Sequence, residues 1–215
     1  MKRLPLIFAL VLFFTTSLFA ANAMNVRVGF LAPSGADTGV FPGLSYGVNV
    51  DNVVEVGFGF DYFYKNFQEK RYVEFDTSSA GNNIDHARVN SDITTYYIPV
   101  MGTIRVSLPM ELDVVPYIGT GLGWGLLWED IFIAEDLTPN NEHNKIDEVN
   151  FYNGINWTLQ FGVKYALSQN ASIYGETFYN GGKMKKNVRR DSSGITWSEL
   201  NMSGAGLRIG VELRL

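Results

Sequence analysis

No cysteine occurs in the 215 residues of this chain. That excludes disulfide staples, thiolate metal sites and a lipid anchor attached through cysteine. A spanning helix is missing too: mean hydropathy is +0.00, and after Phe19 no run approaches the roughly 18 apolar residues such a helix needs. Basic charge is in deficit, with 17 Lys and Arg against 22 Asp and Glu. Without a basic footprint, no nucleic-acid partner is expected. Histidine is scarce: there are only two, His86 and His143, and both fall in stretches that read as loops. That leaves little for general-base chemistry, so no catalytic residue, metal site or cofactor is assigned.

What is present begins with a leader. Residues 1–23 read as a cleaved secretory signal peptide, with Lys2 and Arg3 ahead of an apolar run from Leu4 to Phe14. Pro5 and Thr15-Thr16-Ser17 keep that run too short for an anchor helix, and Ala21-Asn22-Ala23 fits the small-x-small cleavage pattern. The mature chain is therefore expected to start at Met24, as one domain over residues 24–215. Losing Lys2 and Arg3 leaves 15 basic residues against 22 acidic ones, a net charge of −7.

The 14% aromatic content and 22 glycines lean toward β structure, and the end of the chain shows which kind. Over residues 203–215, Ala205, Leu207, Ile209, Val211, Leu213 and Leu215 share one face of an extended strand. Gly204, Gly206, Arg208, Gly210, Glu212 and Arg214 share the other. The same alternation recurs upstream. Val26, Val28 and Phe30 oppose Arg27 and Gly29, and Leu44, Tyr46 and Val48 oppose Ser45 and Gly47. Val54, Val56, Phe58, Phe60, Tyr62 and Tyr64 oppose Glu55, Gly57, Gly59, Asp61 and Lys65. That apolar face runs about eleven residues and ends in tyrosines, whereas strands of soluble proteins average only about 5–6 residues.

A fourth strand carries Tyr96, Ile98, Val100, Ile104 and Val106 outward and Arg105 inward, with Pro99 predicting a bulge or local unpairing. The fifth sets Ile118, Leu122, Trp124 and Trp128 against an inner row of Gly119, Gly121, Gly123 and Gly125. That row makes room for bulky interior side chains from neighbouring strands. The sixth places Trp157, Leu159 and Phe161 outward against Asn156, Thr158, Gln160 and Lys164. The seventh is the least regular: its parity turns Glu176 inward together with Tyr174 and Phe178. Polar stretches 66–92, 129–150 and 181–202 read as long outer loops, and the turns at the opposite end are short. Long strands, apolar outer faces and this asymmetry predict an all-β fold, an eight-stranded antiparallel up-and-down transmembrane β-barrel with both termini in the periplasm.

The chain's end is also similar to the C-terminal assembly signal of bacterial outer-membrane proteins, with Arg208, Gly210, Leu213 and Leu215 in its positions and Leu215 replacing the usual terminal aromatic. Together with the leader and the strands, it resembles the small outer-membrane barrels of the OmpA transmembrane-domain and OmpX type. The resemblance implies a monomeric or loosely associated barrel in the bacterial outer membrane, porin-like in architecture. Its implied partners are membrane lipid, lipopolysaccharide and, during biogenesis, the barrel-assembly machinery. Roles of such barrels range from structural support to adhesion to lipid modification, and the fold does not choose among them.

Three functional ideas follow. Eight strands leave an interior only wide enough for side chains, so the inward charges Arg27, Glu55, Asp61, Arg105, Lys164, Glu176, Arg208, Glu212 and Arg214 are expected to pair as a polar plug. Glu55 should lie near Arg105, and Glu176 at the depth of Arg208. Lys183, Lys185, Lys186, Arg189 and Arg190 form a basic cluster that could contact lipopolysaccharide phosphates. The acidic stretch 129–150 lacks the spacing of a calcium loop. The expected role is non-catalytic, structural or surface-interactive. The alternatives are a lipid A-modifying enzyme using a loop histidine, and a soluble periplasmic lipocalin-like barrel with its apolar face turned inward.

Overall fold

The computed structural model describes residues 22–76, 84–108, 113–137, 142–191 and 194–215. Its strand segments are β1 (Asn22–Pro33), β2 (Gly39–Val40), β3 (Gly43–Asn49), β4 (Val54–Asp61), β5 (Phe63–Asp76) and β6 (Ile84–Ser107), followed by β7 (Val114–Leu137), β8 (Glu142–Ala166), β9 (Ala171–Asp191), β10 (Gly194–Asn201) and β11 (Gly204–Arg214). The pairs β2 and β3, β4 and β5, and β10 and β11 are each one strand with a short interruption, so the ring has eight antiparallel staves. It closes where β11 pairs with β1, from Ala23 opposite Arg214 to Pro33 opposite Gly204. Closure satisfies the ladder all the way round, as a lipid environment requires.

The polarity is inside-out. Leu207 and Ile209 are each 67% exposed on the outer wall, while Arg208 between them is 2% exposed. A soluble lipocalin-like barrel would have the reverse arrangement, and that alternative is set aside. Pro99 sits where its missing donor does least harm. β6 runs through it in register with β7, Pro99 opposite Gly125. On its other edge the ladder passes from Val100 opposite Phe60 to Tyr97 opposite Phe63. The unpairing at Pro99 thus coincides with the break at Tyr62, whose N–H donates instead to the Pro42 carbonyl at 2.8 Å.

The stretches read as long loops are a correction. β5 and β6 stay paired out to Asp76 opposite Ile84, β7 and β8 to Leu137 opposite Glu142, and β9 and β10 to Asp191 opposite Gly194. These are hairpins standing above the membrane band, and their tips at 77–83, 138–141 and 192–193 lie outside the described residues. With water on both faces, nothing there selects for apolar alternation, so the period-2 signal fades while the backbone ladder continues. β1 also starts upstream of the expected mature terminus. Ala23 is fully buried and pairs with both Gly47 and Arg214, and the Leu215 N–H donates to the Asn22 carbonyl at 2.9 Å.

Candidate functional site

The barrel interior holds the densest chemistry among the described residues, arranged in levels. Toward the turn end, Glu55 on β4 and Arg105 on β6 are direct cross-strand partners with an ion pair of 3.3 Å. Arg105 also reaches Glu212 on β11 at 3.5 Å, and Glu212 is ion-paired with Lys164 from β8. The Arg105 guanidinium lies 4.8 Å from the Tyr117 ring centre, so an aromatic face backs the cation. Arg214 joins the network from its rim: its Nε meets Glu212 Oε1 at 3.6 Å while its side chain is 48% exposed. As the last residue of β11, it has inward parity but no wall beyond it, and so it lies at the mouth.

One level up, Glu176 and Arg208 are direct partners across β9 and β11 and form an ion pair. Arg208 Nη1 also meets Asp61 Oδ2 at 3.3 Å. Arg27 grips the same Asp61 with two bonds, Nε to Oδ1 at 2.7 Å and Nη2 to Oδ2 at 3.0 Å, and donates from Nη1 to Ser45 Oγ at 3.1 Å. The Tyr117 hydroxyl donates to Glu176 at 2.5 Å and ties the two levels together. Among the described residues, four buried cations, Arg27, Arg105, Lys164 and Arg208, thus face four buried carboxylates, Glu55, Asp61, Glu176 and Glu212. The buried charge described is balanced, as burial demands.

Above the charges the interior turns apolar, a feature not anticipated from the sequence. Arg208 stacks 4.4 Å from the Phe178 ring, and Phe178 stacks on Phe41 at 5.5 Å. Phe63, Leu127, Met184 and Met202 complete this apolar layer, each fully buried. The Tyr97 hydroxyl crosses it to donate to Asn156 at 2.7 Å, and Asn156 donates to Asn180 at 3.1 Å. A signal existed in the sequence: Phe63 lies between Tyr62 and Tyr64, and Leu127 between Leu126 and Trp128, so both parities are apolar at these points. The inner glycine row serves this packing. A Cβ on Gly125 would sit 2.8 Å from Met184 and from the Tyr97 ring.

The basic cluster expected in a loop lies instead on paired strand β9, and alternation divides it. Lys183 and Lys185 point outward, with side chains 62% and 55% exposed, and both pair with Glu199 on β10. Lys186 points the other way and donates to Asn150. Arg189 and Arg190 stand opposite Thr196 and Ile195 in the ladder, and their side chains lie outside those described. His86 and His143 fall on strands as well, opposite Glu74 and Asp136, with side chains outside those described.

Residues 6–214 match the family model of the outer membrane protein beta-barrel domain. The chain belongs to that family. Its place is the bacterial outer membrane. Neisserial surface protein A is a structural neighbour at 16% identity and a TM-score of 0.52, covering 91% of this chain and 96% of the other. The outer membrane protein OprG from Pseudomonas aeruginosa is another, at 12% identity and a TM-score of 0.50, with 91% and 96% covered. Both are similar in fold. No curated protein sequence matches. The four positions expected to form an assembly signal divide by face: Arg208 and Gly210 turn inward, while Leu213 and Leu215 are 42% and 74% exposed on the outside.

Proposed function

We propose that the protein is a closed, non-catalytic surface barrel, whose wall anchors it in lipid and whose extracellular hairpins carry its interactions. The observation that supports this reading is the doubly filled interior: a balanced network of buried charges below and a packed apolar layer above. An ion would have to displace buried pairs at one level and cross packed apolar side chains at the next, and both steps are expensive. The test is conductance of the purified barrel in planar bilayers. Silence is expected; a stable open channel from the wild-type protein would overturn the reading. Absence of catalysis is tested separately, by comparing the lipid A acylation pattern of cells with and without the gene. No difference is expected.

A further inference from the structure

Above the membrane band the wall divides into two unequal parts. β5, β6, β7 and β8 continue upward as one four-stranded sheet. The β8–β9 ladder instead has its last pair at Asn153 opposite Lys185, although β8 extends from there to Glu142 and β9 to Asp191. Among the described residues, β10 pairs with β9 alone. From Lys186 upward, β9 and β10 are therefore a two-stranded ribbon, and such a ribbon is marginal in water unless it leans on something else. Its foot is tied down, for the Gly35 N–H donates to the Asn201 carbonyl at 2.8 Å.

Side chains supply the support. The Lys186 ammonium donates to Asn150 on β8. Ser198 on β10 is hydrogen-bonded to the Tyr152 hydroxyl, which in turn donates to Glu129 on β7 at 3.4 Å. Glu129 and Asn150 are direct cross-strand partners, so β7, β8, β9 and β10 meet in one polar knot. The apolar layer lies directly beneath: Tyr152 belongs to it, and Leu200 of β10 packs against it. We infer that the β9–β10 ribbon is a lid over the outer mouth of the barrel, hinged near Lys185 and Asn201 and latched through Glu129. The lid is separate from the seal below it, and a conducting barrel would leave its test unchanged.

The surroundings of Glu129 make the latch sensitive to pH. Glu129 opens the stretch of β7 that stands above the membrane band. Burial raises its carboxyl above the ordinary glutamate value, and the Tyr152 hydrogen bond and the Lys186 charge oppose that rise without cancelling it. Thr95 on β6 and Lys65 on β5 share its row of the ladder, and Glu148 stands two residues beyond Asn150 on β8. The closed lid thus favours the protonated carboxyl. Closure is strongest below the ordinary value of about 4.3 and weakens as pH rises through the raised one.

The test uses the full barrel refolded in phosphatidylcholine vesicles, spin-labelled through Lys145→Cys on β8 and Glu199→Cys on β10. The chain has no cysteine of its own to interfere, and both sites reach solvent. Electron–electron double resonance should give one short distance at about pH 4 and a growing longer component at about pH 8. Glu129→Gln should hold the short distance at both pH values. Lys186→Met should enlarge the longer component at the higher pH. Identical distributions at the two pH values, a pH response that survives in Glu129→Gln, or no change in Lys186→Met overturns the lid. Each variant is checked for an unchanged heat-dependent gel shift, and should Lys186→Met fail to fold, Lys186→Gln is read against the same outcomes.

Discussion

At the residue scale, Arg208 is the hinge of the interior because it joins two carboxylates, Glu176 and Asp61, drawn from opposite sides of the barrel. Replacing it with methionine leaves both negative charges buried with less compensation, and breaking a buried pair typically costs about 3–5 kcal/mol. Arg208→Met should therefore lower the urea midpoint of the refolded barrel by a large margin, and wild-type stability would falsify the pairing. Gly210 makes a smaller test of the same wall. A Cβ there would meet the Tyr174 ring at 2.5 Å and the Val26 carbonyl at 2.6 Å, and the latter is backbone that cannot swing aside. Gly210→Ala should cost about 1–3 kcal/mol by overpacking in the same unfolding assay. The inward identity of these residues was readable because strand parity is strict wherever one face meets lipid. What parity did not give is burial: Arg214 pairs with Glu212 yet stays 48% exposed, because parity says which way a side chain points but not whether wall remains to enclose it.

At the element scale, the turns and the strand ends carry the information that alternation lacks. The Asp51 carboxylate accepts the N–H groups of Val54 at 2.6 Å and Val53 at 2.7 Å, which fixes the turn between β3 and β4. These two bonds favour the charged form and hold its pKa below the ordinary carboxylate value. A group depressed in the folded state contributes above its unfolded pKa of ~3.9 and loses that contribution as pH falls through the folded value. Amide-exchange protection of Val53 and Val54 should thus hold down to about pH 4 and fall only as pH drops further, and Asp51→Asn should remove the pH dependence. Protection that ignores pH would sink the account. The start of β1 yields another prediction: since Asn22 and Ala23 are built into the sheet, the mature N-terminus should lie at or before Asn22 rather than at Met24. N-terminal sequencing of the outer-membrane form decides it. The hairpins above the membrane were the least legible elements, for with both faces wet, composition has no side to choose.

At the scale of the whole molecule, the staves share a single closed ladder, and the two interior levels lock onto strands far apart in sequence. Asp61 of β4 meets Arg27 of β1 and Arg208 of β11, while Glu212 of β11 meets Lys164 of β8 and Arg105 of β6. Opening the barrel therefore means losing the β1–β11 seam and several buried ion pairs together, with no edge on which to unzip by halves. Such a structure should resist detergent at room temperature and yield only on heating, because the barrier to opening includes exposure of paired charges and of a continuous ladder. In urea-washed outer membranes, unheated protein is expected to migrate on a gel as a compact species and boiled protein as an extended one. Arg208→Met should bring the temperature of that conversion down, since it removes contacts that connect β11 to β4 and to β9. A chain that urea strips from the membrane, with no shift on boiling, would contradict both the closed ring and the membrane-facing wall.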